Sequence, residues 1–159
     1  MDLTVRIEGL DRLASKSKIV SRIAQQEVKK ALFVAGSYVE QDAKVSIAQG
    51  EKTGRVYKRG NVTHRASAPG EAPASDTGRL VNSINVRPAE GELAVDVVAG
   101  GGIVKYARML EFGTSKMAAR PFLFPALEKN KQKIRKRIEA ALDKTIDRAT
   151  KQGLESLKK

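Results

Sequence analysis

The sequence predicts an α+β fold in which a small antiparallel sheet packs with two long helices, one N-terminal and one C-terminal. Two stretches, at about 19–47 and 121–152, have apolar residues at every third or fourth position, which is typical of amphipathic helices. Short segments rich in β-branched residues between and before them predict the strands. We expect one domain over residues 1–159, since this length suits a single core.

The N-terminal part begins with a strand and continues into the first long helix. Residues 3–7, LTVRI, alternate in polarity and predict a strand that Gly9 ends. A helix from Ile19 to Ile47 would be about 43 Å long. Gly36 lies inside this helix, where glycine lowers helix stability by about 1 kcal/mol relative to alanine. The glycine is either simply tolerated or marks close packing of the helix against another element.

Residues 49–75 lose the apolar period and are rich in glycine, proline and small polar residues. This composition predicts a long flexible loop without regular structure. Two interpretations stay open. The loop is either a disordered surface excursion or an arm that orders on assembly, by packing on a neighbour or by lining a channel.

Regular structure is predicted to return at Asp76. The segment DTGRLVNSI indicates a helical turn with Asp76 or Thr77 as its N-cap. Strands at Ile84–Arg87 and Leu93–Ala99 then form a hairpin, and the alternation in the second predicts a half-buried strand. The three glycines at 100–102 end it.

Two helical segments complete the chain. Val104–Phe112 has helical spacing, and a loop follows it. Pro121 is expected to start the basic C-terminal helix, because the first helical position needs no N–H donor. The stripe through Ile134 and Ile138 fixes one face inward, so most of the dense basic residues around it should point outward. We expect the tail beyond Gly153 to be frayed.

Composition narrows the possible partners. Lys and Arg number 30 against 18 Asp and Glu, which gives a net charge of +12, and there is no cysteine or tryptophan. The core must therefore be aliphatic, and disulfides and thiolate metal sites are excluded. An acidic partner is indicated: nucleic acid, an acidic lipid surface or an acidic protein, unless the charge only keeps the protein soluble. No apolar run is long enough to span a membrane, and no signal peptide is visible.

Catalytic chemistry has no support in the sequence. The single histidine, His64, lies in the predicted loop, where nothing would orient it as a base or ligand. Zinc spacings, phosphate-binding loops and nucleophile elbows are absent. We expect no enzyme activity, no cofactor and no metal. Nucleic-acid contacts should be independent of sequence, because Tyr38, Tyr57 and Tyr106 are too scattered along the chain to indicate a stacking platform.

Two motifs resemble a known family. HRASAPGEAPASDTGRLVNSI at 64–84 and YARMLEFGTSKMAARPFLFPAL at 106–127, with a hairpin between them, resemble the neck, tail-completion and minor tail proteins of long-tailed bacteriophages and prophages. EFGT followed closely by ARPF is the more specific part. The resemblance implies a structural virion protein of the neck or tail, assembled in the host cytoplasm, with no cofactor. It implies a head–tail joining ring around the DNA channel; the alternative is a sequence-independent DNA-binding protein.

The expected partners follow from the resemblance and the charge. They are copies of the chain in a closed ring, most readily a hexamer, the neighbouring connector and tail-terminator or tail-tube proteins, and packaged DNA as a nonspecific contact. No membrane is expected. The candidate subunit interface comprises Glu111, Phe112, Gly113, Arg120, Pro121 and Phe122. These residues could instead form a tight corner of the monomer core. Glu111 is expected to bond either loop N–H groups or Arg120.

The candidate contacts with DNA or an acidic partner are Lys52, Arg55, Lys58, Arg59, Arg65, Lys131, Lys133 and Lys136. These basic side chains could instead be merely solvated.

Overall fold

The computed structural model describes residues 3–7, 22–90, 93–102 and 104–156, and it shows the α+β fold that the sequence predicts. The elements in chain order are β1 (Leu3–Ile7), α1 (Arg22–Gln49), β2 (Val56–Arg59), β3 (Val62–Arg65), α2 (Arg79–Asn82), β4 (Asn85–Pro88), β5 (Val95–Ala99), α3 (Ala107–Phe112) and α4 (Leu123–Ser156).

The central sheet has three antiparallel strands in the order β1-β5-β4. All five side chains of β5 are buried, so the prediction of a half-buried strand is wrong. The reason is that β5 lies between two partner strands and is covered on both faces. Asp96 lies in this buried strand, and its carboxylate accepts a hydrogen bond of 2.9 Å from Arg6 Nε on β1. The strand ends at Ala99, as the following glycines predict.

Helix α1 supplies one wall of the core. Its buried residues recur at three- or four-residue spacing, from Val28 through Leu32 and Val39 to Ile47. They pack with aliphatic residues such as Val97 of the sheet and Ile84 just before β4, and among the described residues the core is aliphatic apart from Phe122.

Gly36 is the point of closest approach between α1 and the sheet. A Cβ added there would lie 2.9 Å from Val86 Cγ1 and 3.0 Å from Val95 Cγ1. Distances this short do not occur between carbon atoms that are packed without strain. Of the two interpretations of Gly36, close packing is therefore confirmed.

Helix α4 packs antiparallel against α1. Asp42 accepts a hydrogen bond of 2.6 Å from Asn130 near the start of α4, and Glu27 lies 3.4 Å from Arg148 near its far end. Burial opposes ionisation of Asp42, but hydrogen bonds from Asn130 and Lys129 outweigh it and lower the pKa of this carboxyl group. Ile134 is buried between these contacts, as its place in the predicted stripe requires.

Several element ends differ from the predictions. Helix α4 begins at Leu123 rather than Pro121, and it continues past Gly153 to Ser156, because one glycine costs too little to end a helix. Helix α3 begins at Ala107 rather than Val104. Helix α1 ends at Gln49, and its predicted start at Ile19 lies outside the described residues.

The predicted cap of α2 is wrong. The N-cap is Gly78, at φ 72°, and no side chain caps the helix. Asp76 instead forms an ion pair with Arg59, which draws its carboxylate toward the 56–65 segment. In addition, β4 lies one residue later than predicted.

Residues 49–75 contain a β-hairpin that the sequence analysis missed. Strands β2 and β3 pair antiparallel around Gly60 and Asn61, with Gly60 at φ 61°. The prediction of no regular structure is therefore wrong for 56–65. Nearly all of the hairpin side chains are exposed on both faces, so no apolar alternation exists to reveal it. A Gly-Asn pair between the segments VYKR and VTHR, each of which begins with valine, was the available signal. The flexibility of the segment stays a prediction.

None of the helices that the structure describes is both long and apolar enough to cross a membrane.

Gly36→Ala should destabilise the protein, although alanine is the better helix former by about 1 kcal/mol. The new Cβ would press on Val86 and Val95, and overpacking of this kind costs about 1–3 kcal/mol. We expect a net loss of about 1 kcal/mol in the free energy of unfolding, measured by urea titration. The double variant Gly36→Ala/Val86→Ala should lose less than the sum of its two single variants. A more stable Gly36→Ala protein would contradict this account.

Candidate assembly surface

Lys52 ties the end of α1 to the following segment. Its Nζ donates hydrogen bonds of 3.0 Å to the Ser46 carbonyl and 2.8 Å to the Ala72 carbonyl. Burial lowers the pKa of Lys52. Because its donors are used inside the protomer, Lys52 is a weaker candidate for a DNA contact than the exposed Arg55, Lys58 and Arg65.

Glu71 closes the same segment from the other end. Its carboxylate accepts hydrogen bonds from the Thr53 hydroxyl and backbone N–H and from the Ala68 N–H. These bonds, with that from the Thr53 side chain the largest cause, lower the pKa of Glu71. The 52–72 segment is therefore pinned at both ends by side-chain contacts.

His64 occupies a defined place on β3. Its ring stacks on Tyr57 with centroids 5.5 Å apart, and its Nε2 lies 3.7 Å from Asp76 Oδ1. Arg59, one of the candidate DNA contacts, pairs with the same carboxylate. The expectation that nothing orients His64 is therefore wrong, because Tyr57 and Asp76 hold its ring. His64 nevertheless lies on a surface hairpin. The described part of the chain contains no cluster of three acidic or histidine side chains able to hold a metal ion.

Glu111 holds the corner between α3 and α4. It is 4% exposed, and its carboxylate accepts three backbone hydrogen bonds, from Phe122 N–H at 2.9 Å, Leu123 N–H at 3.0 Å and Phe124 N–H at 2.7 Å. The first N–H groups of a helix have no partner within the helix, and a negative charge is favourable there. Glu111 therefore caps α4 from a distance in the sequence.

Arg120 bonds the loop rather than Glu111. Its Nε lies 3.3 Å from the Ser67 carbonyl and one terminal nitrogen lies 3.2 Å from the Ala118 carbonyl. Of the two partners expected for Glu111, backbone N–H groups are the ones found. Arg120 instead links the corner to the segment that precedes α2.

The two phenylalanines of the corner have opposite environments. Phe122 is 1% exposed and fills the core, whereas Phe112 is 60% exposed. Between them Gly113 has φ 74°, and a Cβ there would lie 2.8 Å from Ala119 N and Met117 O, so only glycine fits. Glu111, Gly113 and Phe122 thus serve the protomer itself, and Phe112 is the interface candidate that the fold leaves accessible.

Three further residues of α3 and of the start of α4, which the sequence did not single out, also expose apolar side chains. We define the corner surface as Tyr106, Met109, Phe112 and Phe124, all of which are exposed. Tyr106, Met109 and Phe112 recur every three residues, which was the signal that could have identified this face of α3. Clustered exposed apolar side chains mark interaction sites more often than isolated ones do.

A cleft of about 430 Å³ separates the hairpin from α3. Tyr57 and Tyr106, which lie far apart in the sequence, both line it, together with Leu80, Leu110 and Arg120. The sequence could not show this proximity, because it arises from the fold of the 49–75 segment over α3.

The basic residues of α4 point outward as predicted. Lys131, Lys133 and Lys136 are exposed, and so are their basic neighbours Lys129, Arg135 and Arg137. Lys133 lies 3.7 Å above the centre of the Tyr38 ring on α1, and Lys131 pairs with Glu128 at 3.2 Å. Their contact with DNA or an acidic partner stays a prediction.

Glu111→Gln should lower the free energy of unfolding by about 2–3 kcal/mol, because the neutral amide loses charge-assisted bonds to the start of α4. The NH₂ group of the glutamine would also replace one acceptor oxygen and would point a donor at backbone N–H groups, which are donors themselves. Chemical denaturation followed by circular dichroism measures this loss. The matched control is Glu128→Gln, on the exposed side of α4, which should stay within about 0.5 kcal/mol of the parent protein. Equal effects of the two substitutions would refute the capping role.

Residues 11–113 match the family model of HK97-gp10-like bacteriophage proteins, described as tail components. Comparison with curated proteins and with solved structures gives no significant match. The matched range includes α1, the hairpin, β4, β5 and α3, and it ends at Gly113, so α4 lies beyond it. The family suggested by the two sequence motifs is thus confirmed, and since the match spans more than half of the 159 residues, the chain belongs to the HK97-gp10-like family of bacteriophage tail components.

Proposed function

We propose that this tail component is a structural virion protein of the phage neck, assembled in the host cytoplasm. It forms part of a closed ring, most readily a hexamer, that joins the head connector to the tail and surrounds the DNA channel. Its neighbours in the particle are the connector and the tail-terminator or tail-tube proteins. Family membership and the distribution of aromatic side chains support this role.

The aromatic distribution is the observation that carries the proposal. The chain has four Phe and three Tyr, and five of these seven, Phe33, Tyr57, Tyr106, Phe112 and Phe124, are exposed. In a soluble monomer scarce aromatics are expected in the core, where they bury the most area. Here aliphatic residues and Phe122 fill the core, and most of the aromatics lie outside. This arrangement fits a protein whose aromatic residues are buried by neighbouring subunits.

The corner surface is the proposed contact between adjacent subunits. Glu111, Gly113 and Phe122 fix the backbone of the corner, so Phe112 and Met109 are presented from a rigid support. A contact between two different patches of identical subunits generates a ring when the rotation closes. A preorganised patch loses little conformational entropy on association.

The 49–75 segment is proposed as an arm that packs on a neighbour or lines the channel. Its hairpin has only two strands, and such a hairpin is at best marginally stable without further contacts. Val56 and Val62 are exposed on it, and burial of these side chains against another subunit would supply the missing stabilisation.

The second candidate function is sequence-independent DNA binding, favoured by the exposed basic residues of α4. Electron microscopy of particles from a strain lacking the gene separates the two. The neck role predicts finished heads and finished tails that fail to join. Joined, filled particles in that strain would overturn it.

Limited proteolysis tests the arm. We expect cleavage within 49–75 in the free protein and protection of the same bonds in assembled particles, because packing on a neighbour would deny the protease an unfolded segment. Intact mass spectrometry of the fragments identifies the sites. Equal cleavage in both states would exclude the arm.

Phe112→Ala should leave the protomer stable and abolish joining. Phe112 is mostly exposed, so its truncation should change the free energy of unfolding by less than about 0.5 kcal/mol. Phe122→Ala, a truncation of the same size in the core, should cost about 3–5 kcal/mol. Thermal melts of the purified variants, with counts of joined particles in a complemented deletion strain, measure both quantities. Normal joining by a stably folded Phe112→Ala protein would remove the corner surface from the interface.

A further inference from the structure

A narrow groove runs between α1 and α4, away from the corner surface. Its volume is about 130 Å³, and its lining residues are Glu27, Lys30, Ala31, Arg137, Ala140, Ala141 and Lys144. The apolar part of this lining consists only of alanines. The small side chains allow the two helices to approach closely and leave the longer basic side chains at the rim.

The charges of the groove are unbalanced. Its one carboxylate, Glu27, lies 3.4 Å from Lys30 and 3.4 Å from Arg148. The hydrogen bond from Lys30 is the largest cause of the lowered pKa of Glu27, so this carboxylate already has partners. Within the described residues, Arg137 and Lys144 have neither an ion pair nor a hydrogen bond from their side chains.

Arg137 and Lys144 lie on the same side of α4. Seven residues separate them, which is close to two helical turns and about 10 Å along the axis. On the opposite flank, Arg135 pairs with Glu139 at 2.8 Å and Lys131 pairs with Glu128 at 3.2 Å. Among the described side chains of α4, Lys133 and Lys136 also lack a carboxylate partner, but neither lines the groove. Arg137 and Lys144 differ from them in lying in one groove together with Lys30.

We propose that this groove binds the phosphate backbone of duplex DNA through Lys30, Arg137 and Lys144. The inference rests on the proposed function for the presence of DNA within reach of the protein. An acidic protein is the less suitable partner, since protein interfaces have an apolar or aromatic centre and this groove offers only alanine. Interfaces with DNA are more polar and more positively charged.

The contact should be independent of base sequence. Lysine and arginine at the rim reach phosphates, and the groove residues include no aromatic or amide side chain that could stack on or read a base. Binding by such contacts releases counterions from the DNA and weakens linearly on a logarithmic salt scale. The salt slope therefore counts the phosphate contacts.

The test measures the affinity of the purified full chain for a fluorescein-labelled 20-base-pair duplex between 50 and 200 mM NaCl, by anisotropy. Arg137→Gln/Lys144→Gln should reduce the salt slope by about 2, since each lost phosphate contact accounts for about 0.9. The matched control is Arg135→Gln/Lys105→Gln, which removes the same two residue types from exposed positions away from the groove. The control should keep the parent slope. Arg137→Lys/Lys144→Arg should keep it as well, and circular dichroism verifies that every variant retains its helices.

Three results would overturn the inference. The first is an equal loss of slope in the control, which would mean that only the net charge matters. The second is no binding by the parent protein at 50 mM salt. The third is equal competition by poly-glutamate at the same charge concentration, which would identify an acidic protein as the ligand.

Head–tail joining by the Arg137→Gln/Lys144→Gln variant is scored in a separate experiment, by counting joined particles. Joined particles with impaired DNA binding would leave the neck role intact, whereas joined, filled particles in the strain that lacks the gene would refute that role alone.

Discussion

The buried carboxylate of Glu111 determines where the second half of the fold begins. It accepts the N–H groups of Phe122, Leu123 and Phe124, which would otherwise be unpaired inside the protein. Burying a carboxylate costs several kcal/mol, so such a residue is stable only when all its bonding positions are well used. These three bonds fix the direction in which α4 leaves the corner. The packing of α4 along α1, and with it the groove, follows from that direction.

The same corner places Phe122 in the core and leaves Phe112 exposed. Because Gly113 alone allows the sharp turn, the chain reverses immediately after Phe112 and leaves this side chain outside, while Phe122 enters the core nine residues after the turn. The protomer thus uses one phenylalanine for its own stability and exposes others. An aliphatic core buries less area per residue than an aromatic core would, so burial of the exposed aromatics against a neighbour, as proposed, would add stability that the core alone does not supply.

The sequence predicts the long elements well and the local contacts poorly. Helix α1, the strand at 3–7 and the inward stripe of α4 were predictable because many residues share one period, so errors at single positions average out. The hairpin at 56–65 was missed because its side chains are exposed on both faces, which removes the alternation that identifies a strand. The cap of α4 was foreseen only as one of two options, because Glu111 and its N–H partners are separated by a loop whose path the sequence does not determine. The same holds for Phe112. The sequence shows that it precedes a glycine in a specific motif, but it does not show whether its side chain enters the core or faces outward.

Helix α4 illustrates how a dense basic segment can be tolerated in a folded protein. Like charges three or four residues apart destabilise a helix by a few tenths of a kcal/mol per pair, so an unrelieved series would weaken it. On the outer flank the relief is local, through Glu128 and Glu139 on the same helix. Along the α1 side it comes partly from Asp42, from Glu27 and from the ring of Tyr38. Arg137 and Lys144 receive no such relief from the described residues, although Glu27 lies in the same groove with its carboxylate already shared. The fold therefore brings two basic residues of α4 without a carboxylate partner among the described residues into the same groove as Lys30.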